Sequence, residues 1–227
     1  MDNTISDYLI QKNDGYFVIT YGGKEFTTPN GSAIKNADVE LLNLIIGELK
    51  INKKADPSFF GFYSVYCTYR DFFCDTSTIF SKDEFKKIIE SDISLNTVAG
   101  PECMDQVAQF SSLTEMLEKK NILHTIFGWS NNFDKIVDHF YDCYIQLTPV
   151  QRACAVNSSQ VHESMLYGII LAMGECTEKQ YAMAIAAANA IIPGVFSDAT
   201  SEELDWVIER ISSDAAVLNK FNKLVNI

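Results

Sequence analysis

Tyr16–Tyr21 reads YFVITY and Lys24–Thr28 reads KEFTT, with only Gly22-Gly23 between them. A two-residue connection between strands demands a primed turn, whose positive φ values glycine reaches without a Cβ penalty. β-Branched and aromatic runs on both sides of such a pair predict an antiparallel hairpin. This chain is therefore not a pure helical bundle. Pro29-Asn30-Gly31 marks a second turn, after which Ala33-Ile34 supplies a short third strand.

Beyond the hairpin the apolar period changes from two to between three and four. Val39, Leu42, Ile45, Ile46 and Leu49 predict a helix with Asn36 as its cap, stopped before Asp56-Pro57. Ser58 to Phe73 is dense in aromatic residues, and Phe59, Phe62, Tyr63, Tyr66, Tyr69 and Phe73 fit one face of a helix packed on the hairpin. The segment carries no run of Lys and Arg between its rings, which an RNA-stacking surface would need. Ser81-Lys82-Asp83-Glu84 is a capping box, with Phe85, Ile88 and Ile89 behind it.

From about Pro101 the sequence reads as helices alone. Pro101–Lys119, a helix opening at Asn131-Asn132 with Phe133, Ile136, Val137, Phe140 and Tyr144, and a long helix from Thr148-Pro149 through Met173 follow in order. Thr177 opens another reaching Ile192, Ser201 caps a last helix to Ser212, and Leu218–Ile227 is a short tail. Short connectors between such helices predict antiparallel packing. The expected fold class is α+β: a small N-terminal domain over residues 1–95, with a β-hairpin, antiparallel strands and helices, followed by an all-helical C-terminal domain over 96–227.

Charge bears on partners. Lys plus Arg is 18 and Asp plus Glu is 30, a net charge of −12. Ten cationic and fourteen acidic residues fall before position 96, and eight and sixteen after it. That balance argues against nucleic acid as a partner, since affinity for phosphate backbones comes mostly from cations. No run approaches the roughly 18 apolar residues of a membrane span, so no membrane insertion is expected. Met1-Asp2-Asn3-Thr4 lacks the basic and apolar regions of an export signal.

The motifs of chemistry are missing. Cys67, Cys74, Cys103, Cys143, Cys154 and Cys176 form no C-x-x-C, and scattered cysteines in apolar segments read as small core residues. His162-Glu163 lacks the second histidine of H-E-x-x-H, and His124, His139 and His162 lie in separate segments, so no metal ligand set is expected. There is neither a P-loop nor a G-x-G-x-x-G, which leaves no cofactor expectation, and no G-x-S-x-G elbow. No catalytic residue is assigned and no enzymatic activity is expected. What remains is a binding surface on the last helix. Glu202, Asp205 and Glu209 line one side, with Glu203 beside them and Leu204, Val207, Ile208 and Ile211 opposite. Trp206 lies between the faces. The two readings are a solvated face and an acidic, aromatic-anchored patch for a basic or apolar protein partner.

Several segments, in order, resemble a family. Asp14-Gly15-Tyr16-Phe17-Val18, then Gly23-Lys24-Glu25-Phe26-Thr27-Thr28-Pro29-Asn30-Gly31-Ser32-Ala33-Ile34, resemble the opening of the ATP12 family of F1-ATPase assembly chaperones. Val39–Leu49, with Glu48 in an acidic position, stands where that family has its L-A-x-x-I-A-x-E-W helix. Asp92–Phe110, Thr148–Ala153 and Ser164–Tyr181 are similar to its later stretches. The family's acidic D-E-x-x-Q segment is replaced by the apolar Ala186–Val195, and Phe60–Tyr66 occupies the place of its M-P-L-T-x-L run. The resemblance implies an α+β domain followed by a helical one. It also implies a monomeric, non-enzymatic chaperone that holds the F1-ATPase α subunit before it pairs with β, in the bacterial cytoplasm or, alternatively, the mitochondrial matrix. A relative of this kind with a different client is the other reading.

Overall fold

A computed structural model describes residues 8–74, 78–93, 133–190 and 201–225, with the backbone alone at 135, 136, 187, 190 and 201. The protein is α+β, a small antiparallel sheet of four strands followed by helices. Strand β2 (Tyr16–Tyr21) is central. It pairs along its whole length with β1 (Tyr8–Asn13), Tyr8 opposite Tyr21 and Asn13 opposite Tyr16. Strand β1 has no counterpart among the expected strands. Its turn is Asp14-Gly15, both at positive φ (43° and 86°), as a primed turn requires. On the other edge, β3 (Lys24–Glu25) pairs with the end of β2 through the expected Gly22-Gly23 turn, and β4 (Lys35–Asn36) pairs with Phe17 and Val18. The third strand thus lies one or two residues beyond Ala33-Ile34, with Ala33 bridged to Thr27.

Helix α1 (Val39–Asn52) lays Leu41, Leu42, Ile45, Ile46 and Leu49 against Ile19 and Ile34 of the sheet. Its cap is Asp38, not Asn36: the Asp38 carboxylate accepts from Glu40 N at 2.7 Å, while Asn36 Nδ2 donates to the Asp38 carbonyl. The aromatic stretch is not one helix. Helix α2 (Phe62–Thr68) widens into a π-helical turn, Tyr69–Cys74. It starts late because the Glu48 carboxylate takes the N–H groups of Phe62 and Tyr63 at 2.7 and 2.9 Å. Phe59 falls outside the helix and is exposed, whereas Phe62, Tyr63, Tyr66 and Phe73 are buried. The π turn is tied down by Asp71, which accepts from Thr28 Oγ1 and Asn30 N.

Helix α3 (Lys82–Ile89) carries the expected capping box, Ser81 with Glu84. It is followed by α4 (Phe133–Gln146), α5 (Pro149–His162), α6 (Met165–Ala172), α7 (Glu178–Ala190) and α8 (Ser201–Val225). The expected long helix from Thr148 to Met173 is broken into α5 and α6. Glu163 turns left-handed (φ 54°), and Ser164 caps α6 by accepting from Tyr167 N. The buried Asp92 carboxylate adds a second cap, accepting from Leu166 N and Ser164 Oγ at 2.9 Å each. A distant carboxylate that satisfies a new helix start makes the break favourable, and no local spacing reveals it. Conversely, the last helix does not stop at Ser212. Ile211, Ala215, Leu218 and Phe221 continue its apolar stripe, so the expected tail is the second half of α8.

One buried cluster runs from Ile19 to Phe221. Phe221 packs edge-on to Tyr66 and Tyr69, and Cys154 of α5 donates to the Leu218 carbonyl. Helices from after residue 133 therefore complete the core begun by the sheet. The boundary near residue 95 and the helix Pro101–Lys119 lie outside the described residues, as does His124.

Candidate functional site

Helix α8 holds all five side chains singled out as partner-binding. Its stripe Ile211, Ala215, Leu218 and Phe221 is buried, and Leu204, Val207 and Ile208 are half-buried, so packing orients its first turns. Glu202, Glu203, Asp205, Trp206 and Glu209 all fall on the exposed side. Trp206 is 61% exposed, an unusual setting for an indole. The Arg210 guanidinium lies 5.9 Å from its ring centroid, a cation–π contact that steadies the ring. Two of the acids, Glu202 and Glu203, sit in the first turn and complement the helix dipole. The exposed side thus carries four carboxylates and one large amphipathic ring with Arg210 against it. It can meet a basic surface with the acids and desolvate the indole against an apolar spot. Arg210, adjacent in space to Trp206, is the neighbour that the i, i+4 spacing discloses only once the helix is granted.

A second constellation is assembled largely by the fold. Ser158 Oγ lies 2.6 Å from Tyr181 Oη, which lies 2.8 Å from His162 Nδ1, while His162 Nε2 lies 3.2 Å from Asp214 Oδ2. Ser158 Oγ also donates to the Ser164 carbonyl at 2.7 Å. A serine, a histidine and an aspartate in series resemble a nucleophile with its base and orienting group. The surroundings decide otherwise. Ser158 and Tyr181 are fully buried, and a Cβ at Gly168 would stand 2.6 Å from Ser158 Cβ, so the backbone of α6 closes over the hydroxyl. Tyr181 stands where a triad would place the histidine, and burial pushes its phenol far above its usual range, which keeps the proton on oxygen. Phe60 and Tyr181 cover the His162 ring. The network ties α5, α6, α7 and α8 together, each buried polar atom meeting a partner. Ser158 and His162 share a face of α5 at i, i+4, which is legible. Tyr181 and Asp214 join them only through folding.

Cys67, Cys154 and Cys176 are buried, and burial pushes the thiols of Cys67 and Cys154 up to about 12. They stay protonated and unreactive at neutral pH. Among the described residues, no group of three or more His, Cys, Asp or Glu is placed to hold a metal ion, and no helix is long and apolar enough to cross a membrane. No family model matches the chain, and no match is found among curated proteins or solved structures.

Proposed function

We propose that this chain is a non-catalytic assembly chaperone that holds the unassembled F1-ATPase α subunit, the role its resemblance to the ATP12 family implies. The observation that carries the reading is Trp206, 61% exposed on α8 amid Glu202, Glu203, Asp205 and Glu209. An exposed indole on a helix face that also carries four carboxylates, with Arg210 against the ring, supports capture of a basic protein surface, the acids governing approach and the ring supplying residence. The burial of Ser158 and of the Cys67 and Cys154 thiols supports a holder rather than a catalyst. The net charge of −12 keeps such a holder soluble while its client's interface is shielded. It acts as a monomer in the bacterial cytoplasm, or in the mitochondrial matrix, without cofactor, metal or nucleic acid.

The test is interferometry of the purified chain against immobilised F1 α subunit at two salt concentrations. Trp206→Ala should weaken capture at least about tenfold, because a desolvated Trp anchor contributes ~2 kcal/mol or more. Glu202→Lys with Glu209→Lys should slow association and flatten its salt dependence. Circular dichroism of each variant should match the parent. If both variants bind like the parent, the helix is only a solvated face. If the parent ignores the α subunit, the assignment fails, and the remaining reading is the same fold serving another client.

A further inference from the structure

The contacts through His162 run in one direction only. Ser158 Oγ carries one proton and lies 2.7 Å from the Ser164 carbonyl, which can only accept, so that proton is committed. The 2.6 Å contact between Ser158 Oγ and Tyr181 Oη therefore takes the phenol's proton. Burial pushes the phenol far above its usual range, so that proton is present, and it is the only one Tyr181 has. Tyr181 Oη then accepts across its 2.8 Å contact with His162, which puts a proton on Nδ1. The last contact, 3.2 Å from His162 Nε2 to Asp214 Oδ2, sets a lone pair against a carboxylate unless Nε2 is protonated as well. Four contacts need four protons, whereas Ser158, Tyr181 and a neutral imidazole hold one each. An imidazole is more basic than a carboxylate, so the fourth proton belongs on the ring.

We propose that His162 is an imidazolium paired with Asp214, and that loss of its proton releases α8 from α5. A neutral ring keeps one of its two contacts and gives up the other. Tyr181 is fully buried and held by Ser158, whereas the Asp214 side chain is 25% exposed and can turn to water, so Asp214 is the partner released. Among the described residues, the titratable groups about the ring come from each element packed there. They are Tyr181 on α7 and Asp214 on α8, with Cys176 before α7 and Asp92 before α6 acting on the Tyr181 phenol. Glu163 follows His162 in the chain. All are acids, so their charges favour the protonated ring. On this assignment folding takes up a proton, and stability is greatest in mild acid and falls as the ring is deprotonated.

The experiment is nitrogen NMR of the full chain labelled at histidine, near pH 7, with the His162 signals identified by exclusion in His124→Gln and His139→Gln. Both ring nitrogens of His162 should be protonated. Asp214→Asn supplies the fourth proton from its own amide, so all four contacts persist around a neutral ring. In that variant Nδ1 alone should carry a proton. Urea unfolding of both proteins between about pH 6 and 8.5 reads the consequence. The parent's folding equilibrium should fall at least about threefold relative to Asp214→Asn as pH rises, and groups that titrate alike in both proteins cancel. A singly protonated His162 ring in the parent, a doubly protonated one in Asp214→Asn, or a stability ratio independent of pH would each overturn the proposal. If Asp214→Asn does not fold, the ring signals of the parent still decide it.

Discussion

Replacing Gly168 by Ala should destabilise the protein, although the same exchange in an open helix would stabilise it. Gly168 lies inside α6, where Ala is favoured over Gly by about 1 kcal/mol. A Cβ at that position would meet Ser158 Cβ at 2.6 Å, Ser158 Oγ at 2.8 Å and the Ala155 carbonyl oxygen at 3.0 Å. Carbon atoms in contact settle ~3.5–4.0 Å apart, so α5 and α6 must part by about 1 Å. Rotamer change gives no relief, since one obstacle is backbone and another is a Cβ fixed to it. The same displacement stretches the bonds of Ser158 Oγ to Ser164 and Tyr181, 2.7 and 2.6 Å long. Overpacking costs about 1–3 kcal/mol and each weakened hydrogen bond about 1 more. Less the propensity gain, the net loss is ~2–4 kcal/mol, or a fall in Tm of about 4–16 °C for a chain of this size. Urea unfolding followed by circular dichroism measures it. Ser158→Gly removes the two closest atoms and leaves only the Ala155 carbonyl oxygen, so Gly168→Ala in that background should cost no more than about 1 kcal/mol, a coupling of at least ~1 kcal/mol in the double-mutant cycle. A raised midpoint for Gly168→Ala alone, or an equal loss in both backgrounds, would refute the reasoning.

Arg152 is buried at the start of α5 and donates backward to the Ile145 and Tyr144 carbonyls at 3.0 and 3.5 Å, closing the end of α4 with its guanidinium over the Tyr144 ring. Arg152→Met keeps the stem but strands those carbonyls. It should cost about 2 kcal/mol in urea unfolding, with Arg152→Lys intermediate, and a Met variant within about 0.5 kcal/mol of the parent contradicts this cap. Burial raises the Glu48 carboxyl above its ordinary 4.5, the N–H groups of Tyr63 and Phe62 opposing that rise only in part. The folded state thus holds this proton more tightly than the unfolded chain, a contribution complete below about pH 4.5 and lost as pH climbs through the raised value. Urea midpoints between about pH 4.5 and 7.5 should show the parent losing stability relative to Glu48→Gln as pH rises. A difference that is constant or grows the other way excludes this role.

The elements with local signals were legible. Gly22-Gly23 between β-rich runs, the Ser81–Glu84 box, Thr148-Pro149 and Thr177 each fold as their neighbours dictate, since a primed turn or a cap is satisfied within four residues. Strand β1 carries a local signal as well. Asp14-Gly15 directly before YFVITY is a hairpin dipeptide, but Tyr8–Asn13 alternates weakly because it forms a sheet edge with several exposed positions. The acidic strip with Trp206 also follows from the period of α8 alone, since burial of one stripe exposes the opposite one.

Other features depended on partners far away in the chain. Asp92 adds a second cap to the start of α6 beside Ser164, and Glu48 caps α2 in place of a local side chain; both carboxylates are brought by packing. Ser158, Tyr181, His162 and Asp214 meet from three helices. By itself the sequence determined periodicity, turn chemistry and the sign of the charge, all set by bonds and sterics within a turn or two of the backbone. The tertiary structure alone decided where helices break, which hydroxyl is sealed and which carboxylate meets His162. Those outcomes depend on burying polar groups beside partners that loop closure delivers, and no residue's near neighbours encode that distance.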